Sequence, residues 1–100
     1  MKRAPATRRA RFVVRGLVQG VNFRNAAVRE AEARGLTGRV WNREDGAVEV
    51  VAEGDAAALS DFERWLHEGP RMAEVEAVER SDLGGDRRYG DFAIAYGRSD

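Results

Sequence analysis

Residues 11–36, RFVVRGLVQGVNFRNAAVREAEARGL, change their hydrophobic period once, and that change decides the fold. Up to Val18 the residues alternate, with Phe12, Val14 and Val18 on one face and Arg11 and Arg15 on the other. That is the pattern of a strand over 11–18. Gly16 to Asn22 interrupts the alternation with two glycines. From there Phe23, Ala27 and Ala31 recur at helical spacing, with Asn22 placed as N-cap and Gly35 where a glycine ends helices. Glu30 and Arg34 stand four apart in the favourable orientation for an ion pair.

Downstream, TGRVWN (37–42) and AVEVVAE (47–53) read as two short strands around Arg43-Glu44-Asp45-Gly46, a connection whose Asp-Gly ending marks a hairpin. Asp55 caps a second helix carrying the apolar stripe Leu59, Phe62 and Leu66 beside Ala58 and Trp65, and Gly69-Pro70 stops it. A fourth strand over 72–80 contains Ala73, Val75 and Val78. A loop over 81–90 leads to a last strand in which Phe92, Ile94 and Tyr96 alternate. Upstream, MKRAPATRRA (1–10) is basic and aperiodic and reads as a flexible tail before a single domain over 11–97. The order strand, helix, strand, strand, helix, strand predicts an α+β, ferredoxin-like split βαβ sandwich (βαββαβ). Its sheet is an antiparallel one of four or five strands, with two helices on one face and the other face mostly solvated.

Composition narrows the function classes. The chain has 100 residues, 43% hydrophobic and 34% charged, as in a soluble globular protein. Cysteine is absent, which excludes disulfides, thiolate metal sites and cysteine nucleophiles. No apolar run approaches the ~20 residues of a membrane span, and no apolar stretch follows the basic N-terminus as in a signal peptide, so a cytoplasmic protein is expected. The formal net charge is zero, yet residues 1–43 carry ten Arg and one Lys against two Glu, a net +9, and residues 44–100 carry the opposing −9. Either the halves interleave in space and cancel, or the basic half marks an anionic ligand.

Gly16 to Arg24 is where chemistry concentrates. Glycines let successive backbone N–H groups turn inward, and a helix N-terminus adds partial positive charge, so the backbone from Gln19 through Gly20, Val21, Asn22 and Phe23 to Arg24 forms a candidate anion cradle. Arg24 lies in the first helical turn, where a cation opposes the macrodipole, and an anion between them relieves that opposition. Its planar fork suits two phosphate oxygens. The Gly-Lys-Ser/Thr ending of a Walker loop is missing. An ordinary strand-to-helix turn with a surface arginine is the other reading. The four side-chain amides, Gln19, Asn22, Asn25 and Asn42, all fall between positions 19 and 42. Asn42 ends its strand, where an amide can hold a water or simply open the turn.

GLVQGVNFR (16–24) resembles the first signature of the acylphosphatase family. GRVWNREDGAVEVVAEG (38–54) resembles the second, with Gly38, Val40, Asn42, Gly46, Val48 and Gly54 in place. Gly35-Leu36, the Ala73/Val75/Val78 strand and the closing Phe92-x-Ile94-x-Tyr96 also match, so the resemblance covers about residues 10 to 96. It implies hydrolysis of the carboxyl–phosphate bond of acyl phosphates without metal or other cofactor. It further implies that the backbone amides of Gln19 to Phe23 and the Arg24 guanidinium bind the phosphoryl group, and that Asn42 positions the attacking water. The expected partners are a small acyl phosphate and its phosphate product, with no membrane, no specific nucleic acid and a monomeric state. The chain departs from the family pattern at Asn22 (usually Gly or an aromatic), Arg39 (an aromatic), Trp41 (a polar residue) and Arg34 (an apolar residue).

Rival readings have less behind them. His67, the single histidine, reads as a surface residue near a helix C-terminus. Glu74, Glu76 and Glu79 read as the solvated face of a strand rather than a cation site. A non-catalytic phosphate- or nucleic-acid-binding module of the same fold is the alternative. RNA-recognition domains share this element order but stack bases on strand aromatics, and AVEVVAE offers none. An acylphosphatase-like segment of a hydrogenase-maturation protein is a second alternative. Retention of both Arg24 and Asn42 favours an enzyme. The residual basic charge at Arg11, Arg15, Arg24, Arg39 and Arg43 is then expected to form a local phosphate-attracting pole.

Overall fold

The computed structural model of the chain describes residues 7–96. Five strands and two helices follow the anticipated order: β1 (Arg8–Leu17), α1 (Phe23–Ala33), β2 (Thr37–Asn42), β3 (Val48–Gly54), α2 (Ala56–Glu68), β4 (Glu74–Leu83) and β5 (Phe92–Ile94). They form one sheet in the order β4-β1-β3-β2-β5. The alternation read from the sequence now has its cause. Phe12 and Val14 of β1, Val40 of β2 and Val48, Val50 and Ala52 of β3 share a core with Ala27 and Ala31 of α1 and Leu59, Phe62 and Leu66 of α2. Phe62 sits at the centre, 6.1 Å from Phe12 and 6.0 Å from Phe92 between ring centroids. Burial of a side chain of that size contributes about 1.5–3 kcal/mol.

The local signals act as read in most places. Asp55 accepts a 2.7 Å hydrogen bond from the Ala58 N–H and caps α2. Past the end of α1, the Leu36 N–H donates to Ala31 and the Gly35 N–H to Glu32, which closes the helix with its carbonyls satisfied. Arg34 pairs with Glu30 at 2.8 Å and also reaches Asp61 of α2 at 2.8 Å, so this departure from the family pattern ties the two helices together. A side chain at Gly16 would collide with the Glu74 carbonyl where β1 and β4 slip register.

Four expectations are corrected. The strand expected from Arg11 begins at Arg8, so Arg8 to Ala10 belong to the sheet; of the rest of the expected tail, Thr7 is exposed and residues 1–6 lie outside the described residues. Ala10 is fully buried and Arg9 nearly so, because Arg9 donates to the wholly buried Glu53 at 2.9 Å. A pattern of Arg-Arg-Ala carries no apolar alternation that could reveal this. β4 pairs with the lengthened β1, Arg9 opposite Leu83, and therefore runs through residues expected to be loop. The sheet is mixed rather than antiparallel, since β5 runs parallel to β2. The chain leaves β4 at the end of the sheet where β2 begins, crosses that end and re-enters beside β2, so only the parallel direction is open to it. Finally, the sheet face away from the helices is not mostly solvated. A row Glu79, Val13, Glu49, Trp41 crosses four strands, and Val13, Trp41 and Val51 are buried there.

Candidate active site

The break between β1 and α1 produces the site. Gly20 (φ 77°) and Asn22 (φ 65°) both adopt the left-handed conformation, which turns the backbone twice within three residues. Glycine takes this shape freely, and Asn is among the few side chains that tolerate it. Asn22 stands at the N-cap position as expected, but its side chain caps nothing. Instead its Oδ1 accepts from Asn25 Nδ2 at 2.8 Å. Among the described residues, no backbone N–H from Gly20 to Arg24 donates to a protein acceptor, and the first such bond is from Ala26 to the Asn22 carbonyl. These are the unsatisfied donors that any helix start presents, here gathered in a doubly turned loop.

The loop is held from outside. Gln19 Nε2 donates to the carbonyls of Arg43 (2.8 Å) and Ala47 (2.9 Å), tying the loop to the β2–β3 hairpin that carries Asn42. The hairpin is braced in turn by Asp45, which accepts from Arg43, the Ala47 N–H and Arg15. The Arg43 guanidinium foremost, then the Ala47 amide, pull the Asp45 carboxyl down to about 2.

Between loop and hairpin lies a cleft of about 260 Å³ whose lining includes Gly20, Asn22, Phe23, Arg24 and Asn42. Five sequence-predicted residues are thus brought together. Gln19 and Val21 stand outside the lining: Gln19 serves as the anchor just described, and Val21 packs against the core. Phe23 is buried, so its ring belongs to the core and its backbone to the site. Three of the four amides, Asn22, Asn25 and Asn42, line the cleft, and the fourth holds its two sides together. Ile94 and Tyr96 also line it and were not anticipated. The sequence showed their alternation, but nothing local shows that β5 docks beside β2.

The expected basic pole contracts. Arg11 pairs with Glu49 at 2.8 Å, Arg15 with Glu79 at 2.9 Å, Arg39 with Asp91 at 2.8 Å, and Arg43 with both Asp45 and Glu49 at 3.0 Å. Among the described residues Arg24 alone of the five has no carboxylate within ion-pair distance. Its guanidinium lies over the Tyr96 ring, 5.7 Å from the centroid. Glu74, Glu76 and Glu79 form no cluster able to hold a metal ion, nor does any other group among the described residues.

A βαββαβ sandwich whose first helix opens on a doubly turned loop of unpaired N–H groups, with an arginine and an asparagine lining one cleft beside it, is an α+β protein with a polar cleft at a helix N-terminus. The match to known proteins is more specific. The acylphosphatase family model matches residues 10–94, and the chain belongs to that family. The acylphosphatase of Pasteurella multocida is 45% identical over 85 residues, covering 85% of this chain and 94% of its own. That of Xanthomonas oryzae pv. oryzae is 56% identical over 72 residues, 72% of this chain and 82% of its own. The crystal structure of acylphosphatase from Bacillus subtilis superposes with a TM-score of 0.86 at 36% identity, covering 89% of this chain and 99% of that one.

Proposed function

We propose that the chain hydrolyses the carboxyl–phosphate bond of small acyl phosphates, releasing a carboxylate and inorganic phosphate. Family membership supports the reaction class. The observation that carries the mechanism is the meeting of Arg24, from α1, and Asn42, from β2, in one cleft at a helix N-terminus.

The phosphoryl group sits in the cradle, where the free N–H groups of Gly20 to Arg24 and the Arg24 guanidinium offset its charge. Asn42 holds a water in line with the bond to be broken. The water oxygen attacks phosphorus, the carboxylate leaves with the bonding electron pair, and the water's proton passes to a phosphoryl oxygen of the substrate. A carboxylate leaves readily, so no protein acid is needed. Positioning and charge stabilisation then account for the rate, and no metal or other cofactor enters the scheme. The residues of this scheme all belong to one chain, so it requires no second copy, and a cytoplasmic monomer is the corresponding proposal. No helix among the described residues is long and apolar enough to cross a membrane. The nucleic-acid alternative loses ground because most of the arginines that suggested it are paired with carboxylates.

Benzoyl phosphate hydrolysis in the presence of a chelator tests this reading. Wild type turns over, Arg24→Ala loses phosphate binding and turnover together, and Asn42→Ala retains phosphate binding while kcat falls about a hundredfold or more. Full activity in both variants overturns it.

A further inference from the structure

Among the described residues the Arg24 guanidinium makes no ion pair, and its cation–π contact is with a residue outside the cradle. Arg has a long side chain, and in the first turn of α1 it opposes the helix dipole, so the helix alone does not hold it in place. The Tyr96 ring lies beneath it at 5.7 Å, within the range of a cation–π contact. Tyr96 is 82% exposed, the most exposed of the large hydrophobic side chains among the described residues. Folding does not require a ring in that place for packing. The parallel pairing of β5 with β2 brings the backbone up to the ring: Ile94 lies opposite Val40, and the Ala95 N–H donates to the Val40 carbonyl at 2.9 Å, one residue before Tyr96. β2 is also the strand that ends in Asn42. The last strand therefore links α1 to β2 at the cleft, which Tyr96 itself lines.

We propose that Tyr96 is a positioning residue, holding the Arg24 guanidinium ready for the phosphoryl group at a fixed offset from Asn42. This rests on the reading of the cleft as the acyl-phosphate site. Tyr96 acts through Arg24 and makes no demand on its own hydroxyl, so the ring face is the functional part. Arg24 bound to phosphate keeps that face, because the guanidinium plane has a second edge for the anion.

A double-mutant cycle read by inorganic phosphate binding, with calorimetry for affinity and thermal unfolding as control, tests the proposal. Tyr96→Ala and Tyr96→Leu are expected to weaken phosphate binding roughly three- to fivefold, the size of an exposed cation–π contact, with unfolding temperature unchanged. Tyr96→Phe restores binding. In the Arg24→Lys background, where an ammonium keeps measurable phosphate binding but the planar guanidinium is gone, Tyr96→Ala has a much smaller effect. An equal loss in both backgrounds, or a Leu variant that binds as well as Phe, overturns the proposal. If wild type binds phosphate with this coupling yet hydrolyses no acyl phosphate, the proposed reaction fails and the positioning role stands. If wild type binds no phosphate, both fail.

Discussion

At the scale of single residues, Asn22 shows how one position serves two demands. The loop takes a left-handed turn at the residue immediately before α1, and the same residue lines the cleft. Asn suits both places, since it tolerates positive φ and its Oδ1 accepts from Asn25 Nδ2. Alanine there bears the strain of positive φ and makes no such bond. Asn22→Ala is expected to destabilise the fold by about 1–2 kcal/mol, seen as a drop of several degrees in Tm. Asn22→Gly stays within about 0.5 kcal/mol of wild type, because glycine keeps the backbone shape. An equal loss in the two variants would assign the effect to the side-chain hydrogen bond instead.

At the scale of elements, the β2–β3 hairpin and the β1–α1 loop are one unit joined by Gln19. Asp45 is the charge on which the hairpin depends. Its folded pKa is depressed to about 2, against roughly 3.9 in an unfolded chain. A depressed carboxyl contributes stability above its unfolded pKa and loses that contribution as pH falls through the folded value. Amide exchange at Arg43, Gly46 and Ala47, compared between pH 4 and pH 2, is therefore expected to show the hairpin loosening on acidification. Asp45→Asn removes the pH dependence and leaves the hairpin already loosened at pH 4. An Asn variant that retains the same pH profile would rule Asp45 out as its source.

At the scale of the whole molecule, the opposed charges of the two halves interleave. Basic residues of β1 and β2 lie beside acidic residues of β3, β4 and the crossing segment, so Arg9 meets Glu53, Arg11 meets Glu49 and Arg39 meets Asp91. Glu53 is the deepest of these groups. Burial pushes its carboxyl up, but the Arg88 N–H, the Arg9 guanidinium, the Tyr89 N–H and the Thr37 hydroxyl together hold it below its ordinary value. Through those bonds it fastens the segment between β4 and β5 across the end of the sheet, and so sets where β5 and Tyr96 come to rest. Glu53→Gln leaves Arg9 buried and short of its partner. The expected cost is about 3–5 kcal/mol, read as a lower denaturant midpoint at unchanged m-value. A change under 1 kcal/mol would show that the crossing segment is held by its other contacts.

The sequence by itself determined the elements, their order, both helix ends and the loop whose residues line the cleft. Those are set by interactions within a few residues: periodicity, caps and the handedness that Gly20 and Asn22 permit. It also pointed to Arg24 and Asn42, through two signatures read side by side. Only the tertiary structure decided that Arg8 to Ala10 belong to the sheet, that β5 runs parallel to β2, that most of the basic pole is neutralised, and that Tyr96 reaches Arg24. Each of these joins residues dozens of positions apart, Arg9 with Glu53 and Arg24 with Tyr96 among them. Side-chain partners at that separation leave no period in the chain, because they are chosen by sheet order and register, which local propensity does not encode.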